Sequence, residues 1–211
     1  MKKFELTNEF IANRFGTKLF RIRALVEFGD VEAGELGGYV EKESNLGHDD
    51  NAWVYGNARV YGDALVYDNA RVYDNAWVYG DAQVSGDALV YGNARVYGNA
   101  LVCGDALVYD NAWVYGNARV YGNALVCGDA RVCGDARVCG NGDYAYAHGF
   151  GSVNRTTTFF RLKDGGVGVR CGCFYGTLAQ FRDKIRETHG ETKKAQEYLM
   201  LADLMKLRFE K

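Results

Sequence analysis

The chain has 211 residues, a formal net charge of −2, 27 Gly, 15 Tyr, 6 Cys and no Pro, and 48% of its residues are apolar. That length suits one domain with at most an appendage, the apolar share suffices for a core, and the near-neutral charge argues against a general binder of nucleic acid or membrane surfaces. No apolar run of about 18 residues is present to cross a membrane, and Met1–Thr7 has lysines with no apolar stretch behind them, so neither a spanning helix nor a secretory leader is expected.

Residues 1–50 read as an N-terminal cap with degenerate first coils. Lys18–Leu25 alternates like a strand, and Gly29-Asp30 and Gly34–Val40 give two corners whose spacing only approximates the strict period of the chain beyond residue 50. A stack of strands exposes unpaired backbone at its ends, and a cap blocks end-to-end pairing.

From Asn51 to Gly140 the chain repeats [N/D]-A-x-V-x-[G/D] through fifteen unbroken hexads. Ala holds the second place every time and Val the fourth; the sixth is Gly except at Asp68, Asp74 and Asp110. A period of six smears both residues around a helix, but within a hexad Ala and Val alternate onto one face of a short strand. The Gly-Asn and Gly-Asp steps tolerate positive φ and read as corners. Strand and corner repeated in one sense give a parallel coil with Ala and Val inside. The hexads resemble those of hexapeptide-repeat proteins. That resemblance implies a left-handed parallel β-helix with three hexads in each 18-residue rung, here over residues 51–146.

With rungs of that length, outward side chains form three files. The first carries Trp53, Arg71, Leu89, Leu107 and Leu125, flanked by Tyr55, Tyr73, Tyr91, Tyr109 and Cys127. Its Leu and Tyr form a patch that is expected to meet a partner chain or the C-terminal segment, as in a dimer or trimer. The second file alternates Arg59, Trp77, Arg95, Trp113 and Arg131, a pattern for cation–π stacking beside Tyr61, Tyr79, Tyr97 and Tyr115. The third carries Leu65, Gln83, Leu101, Arg119 and Arg137. Asn57, Asn75, Asn93 and Asn111 recur at one corner and suggest amide ladders. Cys127, Cys133 and Cys139 fall on three different files, so disulfides are not expected, and Cys171-Gly172-Cys173 has no second pair at zinc spacing. No metal or cofactor is indicated.

Residues 147–211 change character. Thr156–Leu162 and Val167–Phe174 flank Lys163-Asp164-Gly165-Gly166 and predict a β-hairpin. Thr177-Leu178-Ala179-Gln180 is a capping box that opens a helix ending at His189-Gly190, and a second helix is predicted from about Thr192 to Phe209. This unit is expected either to fold back over the apolar file or to close the C-terminal end.

The ends carry a more specific resemblance. Gly34-Glu35-Leu36-Gly37-Gly38-Tyr39-Val40-Glu41, the N-A-W-V-x-G-N-A-R-V repeats, Thr157–Arg161, and Cys171–Phe174 with Gly176, Thr177, Leu178 and Phe181 are similar to the YdcK-type β-solenoid family of bacteria and prophages. The resemblance covers nearly the whole chain. It implies the solenoid fold and a bacterial or prophage origin, but no biochemical role; the cysteines expected to stay free suggest a reducing cytoplasm.

Nearly every residue is explained by structure, which favours a non-catalytic binding protein. Its targets are expected to be an anionic, nucleotide-like ligand or a host protein, held or sequestered to counter defence. Two ligand surfaces are expected. One is the Arg59–Trp77–Arg95–Trp113–Arg131 ladder. The other is a junction where Arg155, Arg161 and Arg170 meet Arg131, Arg137 and His148. Arg supplies a fork for phosphate and an aromatic ring a face for a base. An acyltransferase is the alternative, with His48 or His148 as base, but no loop interrupts the hexads to shape a pocket. A scaffold or fibre subunit is the third reading, disfavoured by two dissimilar, elaborate ends.

Overall fold

The computed structural model describes residues 2–150 and 154–210; residues 1 and 211, at the outer limits of the cap and the C-terminal unit, and 151–153 within that unit lie outside the described residues. Fifteen short strands, β4 to β18, arise one per hexad, from Trp53–Val54 to Arg137–Val138. Each pairs in parallel with the strand three hexads away: Trp53 lies opposite Arg71, Arg95 opposite Trp113, and Leu101 opposite Arg119. Every step is therefore 18 residues, and the outward residues form the three expected files. The hexad alanines and valines are at most 1% exposed. Each buried Val stabilises the coil by roughly 1.5–3 kcal/mol relative to an exposed one.

The corners explain the choice of residue in the sixth place. From Gly56 to Gly134 its glycines have φ between 57° and 71°, where a Cβ is strained; only Gly140, where the coil ends, lies outside that region. Asp68, Asp74 and Asp110 adopt the same conformation at 57–58°. Each offsets the strain by accepting a hydrogen bond from a backbone N–H one rung on: Gly86 (3.0 Å), Gly92 (3.1 Å) and Gly128 (3.1 Å). Amide ladders run down the corners and end on a carboxylate, which accepts from the last amide and has no N–H to pass on. Asn51 donates to Asn69 and Asn69 to Asp87; Asn93 donates to Asn111 and Asn111 to Asp129; Asn99 donates to Asn117 and Asn117 to Asp135.

At the N-terminal end, strands β1 (Phe4–Ala12) and β2 (Lys18–Ala24) form an antiparallel hairpin that adds to β3 (Leu36–Val40), which pairs in parallel with Arg59–Gly62. The second file thus sits on an eight-stranded mixed sheet. Phe4 and Phe28 meet Trp53 edge-on and help to bury it completely, so the top of the first file is covered by the cap. The cap seats closely because a Cβ on Gly37 would come within 2.6 Å of the Val54 carbonyl oxygen, and one on Gly38 within 2.7 Å of the Ala58 oxygen. Lys3 is buried and donates from Nζ to the carbonyls of Asp50 (2.7 Å) and Ala52 (2.8 Å). Burial holds its pKa down at about 8, against the pull of Asp50 and Asp49.

At the other end the predicted hairpin is the middle of a larger sheet. Strands β19 (Tyr144–Phe150), β20 (Arg155–Arg161), β21 (Val167–Cys171) and β22 (Phe174–Thr177) form an antiparallel meander, succeeded by helices α1 (Leu178–His189) and α2 (Lys193–Phe209). Thr177 caps α1 by accepting from the Gln180 N–H, and Gln180 accepts from the Thr177 N–H, completing the expected box. Strand β20 lies across the last rung: Thr158 Oγ1 accepts from the Arg131 N–H at 2.9 Å, and Ala136 bridges to Leu162. Phe160 and Tyr144 join the solenoid core, while Phe159 and Val169 face Phe181, Ile185, Tyr198 and Met205 of the helices. Of the two expected placements, the unit therefore closes the C-terminal end. It leaves Leu89, Leu107 and Leu125 half-exposed on the first file.

Candidate functional site

The strand register aligns the second file into a continuous stack. The Arg59 guanidinium lies 5.0 Å from the Trp77 ring centroid, Arg95 lies 4.8 Å from Trp77 and 5.0 Å from Trp113, and Arg131 lies 4.8 Å from Trp113. Beside it the rings of Tyr61, Tyr79, Tyr97 and Tyr115 stack 4.9–5.0 Å apart and within 3° of parallel. Burial in that column pushes the Tyr61 phenol up to about 12, with the Tyr79 phenol adding to the effect, and raises Tyr79 and Tyr97 in the same direction.

The cap extends this stack in a way that the hexads alone do not disclose. Tyr39 pairs with Arg59 in the sheet, and Arg21 lies 5.4 Å over the Tyr39 ring while donating to Glu9 and to the Tyr39 oxygen. The only sequence signal for this is the alternation in Lys18–Leu25 and the Gly37-Gly38-Tyr39 step, neither of which fixes a register.

The ladder is closed to planar ligands along its length. Both faces of Trp77 and Trp113 are covered by guanidinium groups, and both faces of Tyr79 and Tyr97 by tyrosine. A base therefore finds no free ring face within the stack. Its last member, Arg131, opens on the far side of Trp113 into a basin of about 470 Å³ lined by Asp129, Asn154, Arg155, Thr156 and Gly172.

The expected junction forms in part. Arg131 and Arg155 share the basin. Arg170 is not part of the basin lining; its Nη1 donates to the Cys173 carbonyl at 3.3 Å. Burial pushes the Cys133 thiol up, and the Tyr115 hydrogen bond and the Arg170 and Arg131 charges pull the other way. His148 reaches the rim through a 2.9 Å contact between its Nδ1 and Thr156 Oγ1. Arg161 and Arg137 are engaged elsewhere. Arg161 donates to the Phe209 carbonyl at 3.0 Å and to Gly165, lies over the Phe209 ring, and so fastens the end of α2 to the sheet. Arg137 donates to the carbonyls of Asn117 and Ala136 on the third file. The expectation that all six gather is corrected on those two residues and on Arg170: the Cys173 carbonyl engages Arg170, and the packing of β20 on the last rung turns Arg155 and Arg161, at opposite ends of the strand, toward different neighbours. Asn154, with φ of 49°, and Asp129, the terminus of an amide ladder, were not singled out as ligand-facing, and nothing in their local sequence marks them so.

The two histidines considered as bases differ in setting. His48 stacks on Phe4 at 4.5 Å, accepts the Lys3 N–H at Nδ1 (3.1 Å), and so carries its proton on Nε2, 3.1 Å from Glu43. Both of its nitrogens hold the cap together. His148 is exposed. No described helix is long and apolar enough to cross a membrane.

Comparison with known families places a YdcK β-solenoid repeat on residues 52–67, 64–80, 82–98, 90–104, 94–110, 100–116 and 112–128, all within the hexads, in agreement with the expected YdcK-type solenoid. No curated protein matches the chain.

Proposed function

We propose that this chain, whose residues 52–128 are YdcK β-solenoid repeats, is a non-catalytic binding protein that holds an anionic, planar ligand of nucleotide type in the basin between its last rung and its C-terminal sheet. The observation that carries this reading is the pairing of Arg131 and Arg155 across one basin at the end of a stack that is otherwise closed to planar ligands. Two guanidinium forks suit a phosphate, Asp129 and Asn154 offer polar edges to a base, and a cleft between two units removes more water from a ligand than a flat face does. With the prophage association of the family type, sequestration of a host nucleotide signal is the purpose that fits. Calorimetric titration of mono-, di- and cyclic nucleotides tests it. Heat is expected with wild type, Arg95→Ala and Arg161→Ala, and its loss with Arg131→Ala and Arg155→Ala. Loss in Arg95→Ala alone moves the site to the ladder, and no heat with any nucleotide contradicts the reading in favour of a protein partner.

A second reading concerns assembly, favoured by the half-exposed Leu89, Leu107 and Leu125 beside Tyr91 and Tyr109, whose rings stack at 5.0 Å. We propose this file as the contact of a closed homo-oligomer, a dimer or trimer. A monomer by light scattering at micromolar concentration contradicts it. The acyltransferase alternative is weakened by the structural engagement of His48, and acetyl-CoA turnover with amine and hydroxyl acceptors tests it. A scaffold that grows end to end is disfavoured by the strands laid across both ends of the coil.

A further inference from the structure

We propose that Cys171 and Cys173 form a reversible dithiol that exchanges electrons with low-molecular-weight anionic disulfides. It does not depend on the nucleotide reading, and it rests on a second pocket, behind the β21–β22 turn, which adjoins the basin and shares Arg155 with it. Cys171 pairs with Phe174, so Gly172 and Cys173 are the two loop residues of a tight hairpin, and Gly172 at φ 57° supplies the conformation its first position needs. Two trans peptides of about 3.8 Å, folded about that turn, keep the Cα atoms of residues 171 and 173 roughly 5–6 Å apart. That lies within the span a disulfide bridges.

Both cysteines line one pocket of about 250 Å³. Its walls include Phe174, Phe181 and Tyr198, and its charged lining is Arg155 and Lys184, with His189 beside them. Lys184 also contacts Glu187 at 3.0 Å. The Arg155 guanidinium packs onto the turn where any Cβ on Gly172 would clash with it, so the glycine is needed both for the bend and for that cation. The Cys171 thiol is held by an ordered chain: it accepts from Thr157 Oγ1 at 3.2 Å and donates toward the Tyr198 oxygen at 3.8 Å, and Tyr198 donates to the Phe150 carbonyl at 3.3 Å. Cys173 is exposed and Cys171 half-buried. One sulfur thus meets an incoming disulfide while the other waits behind it.

The exchange balances without a further reagent. Cys173, as thiolate, attacks one sulfur of R–S–S–R; the S–S bond breaks, and R–S⁻ leaves and takes up a proton. Cys171, having lost its proton to solvent, attacks the Cys173 sulfur of the mixed disulfide, the second R–S⁻ leaves, and the Cys171–Cys173 bond forms. The protein has lost two electrons and two protons, and R–S–S–R has become two R–SH.

The test uses the full chain in buffers of graded reduced and oxidised glutathione, with acid quench, alkylation and trypsin. The peptide Cys171–Arg182 contains no other cysteine. It is expected to pass from doubly alkylated to unalkylated and two protons lighter as the buffer becomes oxidising, and to return on reduction. Cys171→Ser is expected to trap glutathione on Cys173. Cys173→Ser is expected to react at least about tenfold more slowly, since attack follows thiol access. Glutathione disulfide is expected to react about tenfold faster than uncharged hydroxyethyl disulfide. A peptide that stays doubly alkylated, or that carries two separate glutathione adducts, overturns the proposal. Equal rates for the two serine variants overturn the assigned order of attack, and equal rates for the two disulfides overturn the anionic preference.

Discussion

Val96 and Arg95 are adjacent in sequence and point to opposite sides of one strand, so a pair of substitutions there tests the whole assignment of inside and outside. Val96 is fully buried between Val78 and Val114 of the rungs on either side. Val96→Asp removes roughly 1.5–3 kcal/mol of apolar burial. It also places a carboxyl in a dry stack with no partner, at a further cost of about 2 kcal/mol or more even if the group stays protonated. The sum is about 3.5–5 kcal/mol or more, a large fraction of the stability of a domain of this size. Arg95→Ala removes two cation–π contacts, at 4.8 and 5.0 Å, from a half-exposed site. At ~0.5–1 kcal/mol each, that loss is about 1–2 kcal/mol. Urea unfolding followed by far-ultraviolet circular dichroism and by tryptophan fluorescence reads both. A repeat stack can open in parts, so the two probes are compared before midpoints are converted to free energies. Equal destabilisation by the two changes, or a larger loss from Arg95→Ala, would falsify the register on which the files and the basin depend.

Other outcomes concern the corners and the stacked phenols. Asp110→Ala keeps a Cβ at φ 58° and loses the bond to the Gly128 N–H, so it is expected to destabilise by about 1–2 kcal/mol, whereas Asp110→Gly relieves the strain and costs less; equal thermal shifts would contradict the role given to the carboxylate. Gly37→Ala drives a Cβ into the Val54 carbonyl and is expected to loosen the cap, seen as exposure of Trp53 by fluorescence and faster hydrogen exchange in β1 and β2; unchanged exchange would contradict the tight seating. Tyr61 has its folded pKa raised from 10.0 to about 12, so the stability it contributes is complete below pH 10 and is lost as pH rises toward 12. Buried Cys133, raised from 9.0, acts with the same sign from a lower pH. Phenolate absorbance is expected to lag the titration of free tyrosine and then rise with the loss of circular dichroism, and a full titration near pH 10 with the fold intact would refute the packing of the tyrosine column.

Much of the fold is legible because the hexad fixes phase at every sixth residue. Val at a constant position cannot face outward in one rung without doing so in all of them, so interior and files can be read directly. The C-terminal helices are equally open to reading, since Thr177 and Gln180 mark one start and Thr192 the other. Strand β19 is harder to see. Tyr144–Phe150 is interrupted by Ala145, Ala147 and Gly149, and becomes a strand because β20 offers it an edge and its Tyr144 plugs the open end of the coil. The basin is harder still. Arg155 and Arg161 look equivalent in sequence, and only the antiparallel seating of β20 sends one to Arg131 and the other to the end of α2. Local patterns set which residues are buried; the meeting of two units sets which charges converge.

The most direct test of the binding claim is photo-crosslinking with an azido-purine nucleotide, with tryptic mapping of the labelled peptides. The account predicts label on the peptides that carry Asn154 and Thr156, suppressed by excess unmodified nucleotide and lost in Arg131→Ala. Label confined to peptides from the middle of the ladder, around Trp77 and Arg95, or label that unmodified nucleotide does not suppress, would contradict it.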